Sequence, residues 1–579
     1  MLATESTETE RHGKRKKKKR SFLQAQKRYA KKGSFGRGTQ LSQDMYDYFI
    51  NIMKVMNTKK DDEDEMRVLA SNILTEIDGK ESDYCCNQII SRAMENLLPF
   101  TDDEEFCNFI EKFGENLRPI FSDTFGSHVL QQSLIVAYTK YQKCVADEES
   151  EKKLNIKFYT YIMKISNFLF NNFEEFVWDV YSNAIARTVF NVLSGNPVKG
   201  EVKPSTSVKT EDEVKFPDEF KSLLHKFAKR ILSFPQFEEF CNDQIQSGLL
   251  QSLLVALGNS DECYELIDKI IFYYGNNQLD LSDAANTPFI RLVEGVLSVA
   301  NKSYLKKVYK VMLKENLVEL SKSKSGNFAI QKLIGNCNSK KMFGKIFAKL
   351  ESEMEEILNA GNSGVLLAVV KACGRLEICQ GACMTMLSKT FHMKDNKDIV
   401  PTLSLMTPAE NVNFEEGTFN IHGCLVIQEI LGFRKPGNVV RSLLDMTESN
   451  VVKLLCDTKG CHITDAYIKG QYVGEKNKDK LFKKLQGHYL ELATSKHGSR
   501  SLDAIWSVTG VQQKALLADE LKLNQSNLYA SVYGKNFAWK IHLDNFRRNK
   551  EEWMKVFKTS ETAEKYFADI LPPKRQKTS

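Results

Sequence analysis

Apolar residues recur at spacings i, i+3, i+4 and i+7 over most of residues 41–571. This spacing places them on one face of an α-helix, so the pattern predicts a chain built almost wholly of amphipathic helices. Only 12 Pro and 31 Gly occur among the 579 residues, and this low content of helix-breaking residues is compatible with long helical stretches.

A segment of about nine residues recurs along this helical region. Six copies are clear, and they read GSHVLQQSL from Gly126, GNFAIQKL from Gly326, GCLVIQEIL from Gly423, GCHITDAYI from Gly460, GSRSLDAIW from Gly498 and GKNFAWKIH from Gly534. Five are weaker, and they read CNQIISRAM from Cys86, SNAIARTVF from Ser182, QSGLLQSLL from Gln246, FIRLVEGVL from Phe289 and SGVLLAVVKA near Gly364, the last in an unfixed register. Together they predict eleven repeats.

A helical unit of this length cannot bury its apolar face alone, so neighbouring units must stack. The sequence therefore predicts an all-α fold, a curved α–α superhelix (solenoid) of about eleven repeats with an extended concave surface. On a helical wheel of the copy that starts at Gly126, Val129 and Leu130 fall on one side, and Ser127, His128 and Gln131 fall roughly opposite. We expect such a polar triplet to point away from the stack in every repeat.

A row of these triplets is suited to RNA. Gln, Asn and Ser can form hydrogen bonds with base edges, and His, Arg and Phe can stack on bases. Helical-repeat proteins can recognise one base per repeat with two or three side chains in this way.

The segments resemble the second helix of the pumilio (PUF) repeat, in which two adjacent residues and a third three places further on contact bases. The resemblance implies one group of RNA-binding candidates in each repeat except that near Gly364. They are Asn87, Gln88 and Ser91; Ser127, His128 and Gln131; Asn183 and Arg187; Ser247 and Gln251; Arg291 and Glu294; Asn327, Phe328 and Gln331; Cys424, Leu425 and Gln428; Cys461, His462 and Asp465; Ser499, Arg500 and Asp503; and Lys535 and Asn536.

Several triplets depart from the usual PUF pattern. Ala184 and Gly248 cannot stack on a base, and acidic, basic or aromatic residues replace the usual Gln or Glu at the third position of other repeats. Those third-position residues are Arg187, Asp465, Asp503 and Trp539. We therefore expect partial sequence preference together with contacts to the RNA backbone or to structured RNA.

The chain also resembles the nucleolar protein nine family of eleven-repeat pumilio-like proteins. The resemblance rests on HGSRSLDAIW at residues 497–506, YGKNFAWKIHLDNFRRNKEEW at 533–553, MYDYFINIMKVM at 45–56 and the basic start. It implies binding to precursor ribosomal RNA near the 3′ end of the small-subunit RNA and regulation of its cleavage. It also implies nuclear and nucleolar localisation, pre-ribosomal proteins as further partners, and a monomer.

Most candidates also have an ordinary structural interpretation. Four outward Gln residues could be plain surface side chains, although their common repeat phase favours RNA contact; they are Gln131, Gln251, Gln331 and Gln428. Base stacking and simple exposure remain open for His128 and His462, and Trp539 could belong to the core of a terminal cap. Instead of contacting RNA, Arg187, Arg291 and Arg500 could form salt bridges. Phe328 and Leu425 could be single exposed apolar residues, which are common on protein surfaces. Asp465 and Asp503 would repel phosphate, so their partners are expected to be base edges or a neighbouring Arg.

Charge is concentrated at the two ends. The net charge is only +7, from 81 basic and 74 acidic residues, but residues 13–20 read GKRKKKKR and residues 572–579 read PPKRQKTS. The first block favours a nuclear or nucleolar address over a nonspecific RNA arm or a solvated tail. We predict a disordered basic tail over 1–40, a repeat region over 41–571 with loop insertions at 145–153 and 196–217, and a basic C-terminal tail over 572–579.

No signature of catalysis or metal binding is present. The sequence lacks a P-loop, HExxH, a nucleophile elbow and paired Cys/His ligand spacing, and its nine His are dispersed. Cys373, Cys379 and Cys383 form the densest Cys group, but their spacing does not suit zinc. We expect no enzyme activity, no cofactor and no metal. No apolar run approaches 18 residues, so we expect a soluble intracellular protein without a membrane partner.

Two further functions remain as alternatives. One is a protein-binding scaffold of the HEAT or armadillo kind, in which the same face would hold a peptide. The other is a cytoplasmic messenger-RNA regulator of the eight-repeat pumilio type, which the repeat number, the irregular triplets and the basic start disfavour. Polar groups kept in one phase of each repeat distinguish RNA binding from a HEAT-like scaffold.

Overall fold

The computed structural model describes residues 35–59, 62–146, 152–196, 217–281 and 283–559. Over these ranges the chain forms α-helices, short 3-10 turns and one π-helical segment, Tyr309–Leu313. The described ranges contain no β-strand, and their only β-type pairing is an isolated bridge between Gly38 and Asn87. The predicted all-α class is confirmed. None of the described helices combines the length and the apolar character needed to cross a bilayer.

The chain divides into two compact units, Met1–Tyr273 and Tyr274–Ser579. Helices of the first unit are α1 (Gln43–Thr58), α2 (Glu63–Glu76), α3 (Glu81–Cys85), α4 (Gln88–Leu97), α5 (Asp103–Phe113), α6 (Leu117–Phe121), α7 (Gly126–Ala146), α8 (Lys152–Asn171), α9 (Phe173–Phe176), α10 (Val180–Ser194), α11 (Asp218–Leu232), α12 (Phe237–Asn242), α13 (Gln244–Leu257) and α14 (Asp261–Asn277), which extends past Tyr273.

Helices of the second unit are α15 (Thr287–Val299), α16 (Lys302–Val308), α17 (Leu317–Lys322), α18 (Gly326–Asn336), α19 (Lys340–Leu350), α20 (Met354–Asn359), α21 (Ser363–Leu376), α22 (Gln380–Thr390), α23 (Ile399–Leu405), α24 (Ile421–Leu431), α25 (Gly437–Asp445), α26 (Glu448–Cys456), α27 (Cys461–Lys469), α28 (Glu475–Lys484), α29 (Tyr489–Thr494), α30 (Lys496–Trp506), α31 (Val511–Leu523), α32 (Gln525–Ala530), α33 (Val532–Lys540) and α34 (Leu543–Arg548). A last helix covers residues 550–559.

Eleven helices carry the recurring segment, and we call each the motif helix of its repeat. Repeats 1–4 use α4, α7, α10 and α13, and repeats 5–11 use α15, α18, α21, α24, α27, α30 and α33. Within each unit every motif helix packs against the next. Apolar residues such as Val129 and Leu130 are fully buried in this stack. Burying one such side chain stabilises the fold by about 1.5–3 kcal/mol, so stacking provides the core that a lone repeat lacks.

A capping side chain fixes where most motif helices begin. In eight repeats the side chain of an Asp, Asn or Ser accepts a hydrogen bond from the backbone N–H of the residue three places later. That later residue is the first of the recurring segment. The capping residues are Asp123, Asp179, Asp243, Ser323, Asn420, Asp457, Ser495 and Ser531. Each satisfies a backbone donor that has no partner inside the helix.

The recurring glycine lets the backbone of an earlier helix approach closely. A methyl group on Gly498 would lie 2.7 Å from the Leu492 carbonyl oxygen. Gly460 and Gly534 face the carbonyl oxygens of the residues six places before them even more closely. Because no side chain fits there, glycine is needed at this position by packing.

The N-terminal boundary differs from the prediction. Residues 35–40 were expected within the disordered tail, but they pack against the start of repeat 1. The Thr39 carbonyl accepts a hydrogen bond of 2.7 Å from Asn87 Nδ2, and the Gln88 amide donates to the Arg37 carbonyl over 2.9 Å. Gly36 and Gly38 have φ values of 91° and 89°, which permit the turn that brings these residues to the helix.

The two predicted insertions lie mostly outside the described residues. Helix α7 runs to Ala146 and α8 starts at Lys152, so helix extends two residues into each end of the predicted 145–153 loop. Residues 147–151 and 197–216 lie outside the described ranges, as do residues 1–34 and 560–579, which include both basic ends.

We predict that Gly460→Ala lowers the free energy of unfolding by about 1–3 kcal/mol, because its methyl group would force the backbone at Leu454 to move. Gly344→Ala is the matched control. Nothing lies within 4 Å of a methyl group at Gly344, which is inside α19, so the better helix former should stabilise the protein by about 0.5–1 kcal/mol. Urea denaturation followed by circular dichroism measures both, and equal effects would contradict the packing role of Gly460.

Candidate nucleic-acid interface

The three positions of each triplet lie at three different depths. In repeat 2, Ser127 is buried, His128 is exposed and Gln131 is half-buried. Repeats 6 and 9 show the same order. In these three repeats the second and third positions thus form the accessible part of the motif helix, and the first lies beneath them.

The prediction that all three side chains point away from the stack is wrong for the first position. Seven first-position candidates are buried, namely Asn87, Ser127, Asn183, Ser247, Asn327, Cys424 and Cys461, and so is the third-position Ser91. Helical angle alone placed them outward, but they sit at the start of the motif helix, where neighbouring elements cover them. Ser499 is half-buried, and Lys535 at the last repeat is exposed.

Some buried first-position side chains hold the third-position side chain in place. Oδ1 of Asn183 accepts a hydrogen bond of 2.9 Å from Arg187 Nε, and Oδ1 of Asn327 accepts one of 2.8 Å from Gln331 Nε2. The Asn amide groups donate in turn to backbone carbonyls, as between Asn183 Nδ2 and the Val177 oxygen at 3.1 Å. The third-position side chain is therefore oriented before any ligand binds.

Other third-position glutamines fold back onto their own helix. The side-chain amide groups of Gln131, Gln251 and Gln428 donate to the carbonyl four residues earlier over 3.4, 3.3 and 3.1 Å. Each amide group has a second N–H, and each side-chain oxygen has two lone pairs, of which Gln131 uses one to accept a bond of 3.4 Å from Thr188 Oγ1. A side chain with one such donor and one such acceptor can pair with the edge of a base.

The second positions include large exposed groups suited to stacking. Phe328 keeps 52% of its surface exposed, and His128, Arg291, His462 and Arg500 are also exposed. Leu425 and Gln88 are half-buried. An exposed Phe costs solvation energy unless a flat partner covers it.

Trp539, the third-position residue of repeat 11, is 81% exposed. The interpretation of this residue as part of a terminal core is therefore wrong. Trp553 and Trp506 fill that role instead, with ring centroids 6.1 Å apart and both side chains buried.

The acidic third positions of repeats 9 and 10 are paired with cations from the next repeat. Arg500 Nη2 lies 3.1 Å from Asp465 Oδ2, and Lys540 Nζ lies 2.9 Å from Asp503 Oδ1. The predicted Arg neighbour of Asp465 is thus present. These carboxylates are neutralised within the protein, which removes their repulsion of phosphate.

The structure fixes the register of repeat 7. Asn362 Nδ2 donates to the Ser321 carbonyl over 2.9 Å, as Ser182 Oγ donates to the equivalent Phe121 carbonyl. Asn362 therefore occupies the place of the recurring glycine, and the triplet positions are Ser363, Gly364 and Leu367. Gly364 and Leu367 are buried and carry no polar side chain, so repeat 7 offers no polar pair at these positions.

Glycine at the second position brings the preceding repeat close. A methyl group on Gly248 would lie 3.1 Å from Arg187 Cζ, and one on Gly364 would lie 2.6 Å from Gln331 Nε2. In both places the third-position side chain of one repeat covers the glycine of the next, so the two positions act as a pair across the repeat boundary.

Sequence reasoning missed the capping residues and Lys540. The capping residues had a detectable signal, because Asp, Asn or Ser stands three places before the start of eight motif segments. Lys540 had no repeat-wide signal, since it lies one place after the triplet of repeat 11 and acts on the repeat before it.

The cysteines form no disulfide and no metal-binding cluster in the described part of the chain. All 13 Cys are free, and most are buried. Burial raises the pKa of the Cys424 thiol to about 12, so it stays protonated at neutral pH. No cluster of three or more His, Cys, Asp or Glu in the described ranges could hold a metal ion, and this includes Cys373, Cys379 and Cys383.

Three comparisons relate this chain to known proteins. Mouse (Mus musculus) Nucleolar protein 9 is 26% identical over 581 aligned positions, which cover 92% of this chain and 91% of that protein. Pumilio homolog 23 of Arabidopsis thaliana is 22% identical over 548 positions, covering 87% and 72%. The solved structure of APUM23-GGAAUUGACGG has a TM-score of 0.69 at 21% identity and covers 89% of this chain and 99% of that one, which shows a common fold.

The names of the mouse and human relatives support the nuclear and nucleolar location predicted from the sequence. The model of the NOP9-like PUF repeat domain matches residues 79–536, which contain every motif segment except the end of the last. The chain therefore belongs to the NOP9-like family of PUF repeat proteins.

Proposed function

We propose that this protein binds RNA through its motif helices, with no chemistry of its own. One observation carries the proposal: the third position is half-buried in repeats 2–6 and 8–10, and in the same register the second position is exposed in repeats 2, 5, 6 and 9–11 and half-buried in repeats 1, 3, 4 and 8. A single-stranded RNA offers flat faces and hydrogen-bonding edges at regular intervals, which this arrangement can match repeat by repeat.

Each position has its own task in this proposal. The second-position side chains, such as Phe328 and His128, stack on bases, and the third-position glutamines form hydrogen bonds with base edges. The buried first positions act indirectly, because Asn183 and Asn327 orient Arg187 and Gln331. Repeats 9 and 10 contribute less to base recognition, since their acidic third positions already have partners in the protein.

The RNA is precursor ribosomal RNA near the 3′ end of the small-subunit RNA, and binding regulates its cleavage in the nucleolus. The family membership and the relatives' name, Nucleolar protein 9, support this assignment, and so does the basic block at residues 13–20. The solved structure of APUM23-GGAAUUGACGG supports RNA as the ligand class. The protein acts as a monomer and meets pre-ribosomal proteins on the same particle.

We predict that the double variant Gln131→Ala with Gln331→Ala lowers affinity for precursor ribosomal RNA about tenfold, because each lost hydrogen bond contributes roughly 0.5–1.5 kcal/mol. Fluorescence anisotropy with a labelled RNA measures the change. Gln512→Ala on α31, outside the motif helices and exposed, is the control and should leave binding unchanged. Affinity of the wild type should also fall steeply with salt, since lysines and arginines displace phosphate counterions. If neither the double variant nor added salt lowered the affinity for RNA, the proposal would be contradicted.

Trp539→Ala should weaken RNA binding roughly tenfold, since stacking of one base on an aromatic ring is worth about 1–3 kcal/mol. The melting temperature should stay the same, because the ring is 81% exposed. Leu523→Ala is the matched control, as Leu523 is 84% exposed but lies on α31 rather than on a motif helix. An equal effect of both variants on binding would contradict a role of Trp539 in base stacking.

Substitution of the lysines and arginines within residues 13–20 by Ser should move a fluorescently tagged protein out of the nucleolus, because the block carries the proposed address. In vitro affinity for a short RNA should change less than twofold. A protein that stays nucleolar, but loses affinity, would show that the block is instead an RNA-binding arm.

A further inference from the structure

Residues 35–40, which we call the strap, lie across the start of the first motif helix, α4. The Gln88 amide donates to the Arg37 carbonyl over 2.9 Å, and the Thr39 amide donates to the Cys86 carbonyl over 3.2 Å. The isolated β-bridge to Asn87 lies at the same place. These bonds use the backbone of the strap, so the side chain of Arg37 takes no part in its attachment.

Two glycines allow the strap to lie this close to the helix. A methyl group on Gly38 would overlap the Cys86 carbonyl oxygen and would lie 2.9 Å from Phe125 Cδ2, directly before the motif segment of repeat 2. A methyl group on Gly36 would lie 2.5 Å from Asn87 Nδ2. The strap is therefore fixed against the starts of the first two motif helices, and the residue between its glycines has a defined position.

That residue, Arg37, is an exposed cation without a partner. Its guanidinium forms no hydrogen bond, ion pair or ring contact within the described ranges. Arg118 of the same unit, by contrast, pairs with Glu175 over 2.6 Å. The sequence directly before the strap is also cationic and reads KRYAKK at residues 27–32. A cation held in place without an acidic partner favours an anionic ligand.

Repeat 1 offers few accessible groups of its own at its triplet. Asn87 and Ser91 are buried, and Gln88 is half-buried. The Asn87 amide group is also engaged, since its Nδ2 donates to the Thr39 carbonyl over 2.7 Å. Because the Arg37 carbonyl is bonded to the Gln88 amide, the strap places an exposed polar group beside a repeat whose motif helix lacks one.

We propose that Arg37, presented by the strap, binds a phosphate of the RNA at the repeat 1 end of the array. The N–H groups of a guanidinium match the oxygens of a phosphate, whatever base is attached. Such a contact adds affinity and fixes the register of the RNA without reading its sequence. This inference rests on the proposed RNA-binding function and adds a contact that lies outside the motif helices.

A phosphate suits this site better than a base. Recognition of a base edge requires a planar group that is held in one direction. No neighbour in the described part of the chain orients the guanidinium of Arg37, and only its backbone is fixed. A mobile cationic side chain on a fixed backbone can follow a phosphate, for which charge matters more than direction.

The experiment uses the full-length protein and two labelled RNAs, followed by fluorescence anisotropy. One is a fragment of precursor ribosomal RNA that includes the 3′ end of the small-subunit RNA, and the other is a random-sequence pool of short RNAs. Arg37→Ala should weaken binding of both about three- to fivefold and lower the slope of log affinity against log salt by about one. Arg67→Ala, an exposed arginine on α2, is the matched control and should change neither.

A second arm identifies the phosphate. Single linkages of the precursor ribosomal RNA fragment are replaced in turn by uncharged methylphosphonate, and each RNA is titrated with the wild type and with Arg37→Ala. One replacement should weaken binding of the wild type but have no further effect on Arg37→Ala. Since the strap lies at the first repeat, this linkage should be near one end of the bound segment.

A third arm tests the strap that presents the side chain. Gly38→Ala should weaken binding about as much as Arg37→Ala, because the methyl group displaces the turn from the Cys86 carbonyl. Gly79→Ala is the matched control. Gly79 also has a positive φ, 76°, but a methyl group there meets nothing within 4 Å, so RNA binding should stay the same. Circular dichroism at the assay temperature confirms that the variants are folded.

Three results would overturn the proposal. If Arg37→Ala leaves affinity and salt slope unchanged, the strap is a structural cap or a contact for another protein. If it weakens one RNA and not the other, Arg37 recognises a base. If every methylphosphonate linkage acts equally on both proteins, no phosphate is bound by Arg37. A wild type that binds neither RNA contradicts the RNA-binding function itself, whereas the first three results leave wild-type binding intact, so the failures are distinguishable.

Discussion

The start of each motif helix is the constraint on which the remaining structure depends. A capping side chain fixes the first turn, and the recurring glycine brings that turn against the carbonyl of an earlier helix. Both contacts are short-range, yet together they set the rotation of the helix about its own axis. Once that rotation is fixed, the depths of the following residues are fixed too.

The consequence is a division of labour inside each triplet. The first residue lies under its neighbours and binds the backbone or the third side chain, as Asn327 binds Gln331. The second residue is exposed in six of the eleven repeats, and the third lies at the boundary with the adjacent repeat in those whose contacts are described above. Contacts of Arg187 with Ile245 and of Arg500 with Asp465 cross that boundary, so the surface is formed by pairs of repeats.

Much of this organisation is visible in the sequence. The helical period of the apolar residues predicted the all-α class, and the recurring segment of about nine residues predicted eleven repeats. The apolar face that contains Val129 and Leu130 is buried, as expected. The wheel failed for Ser127 because it treats a helix as isolated, whereas burial at a helix start depends on what precedes it. The packing of residues 35–40 on Asn87 and the register at Gly364 rest on contacts between distant segments, which local pattern does not encode.

The contact of one repeat's third side chain with the next repeat's second position limits how the array can change. Arg500 and Asp465 form an ion pair, and a methyl group on Gly248 would lie only 3.1 Å from Arg187 Cζ. Substitutions on the two sides of such a boundary are therefore not additive, so the free-energy change of a double variant differs from the sum of the two single changes. A repeat moved to a new place in the array would lose the neighbour that shapes it.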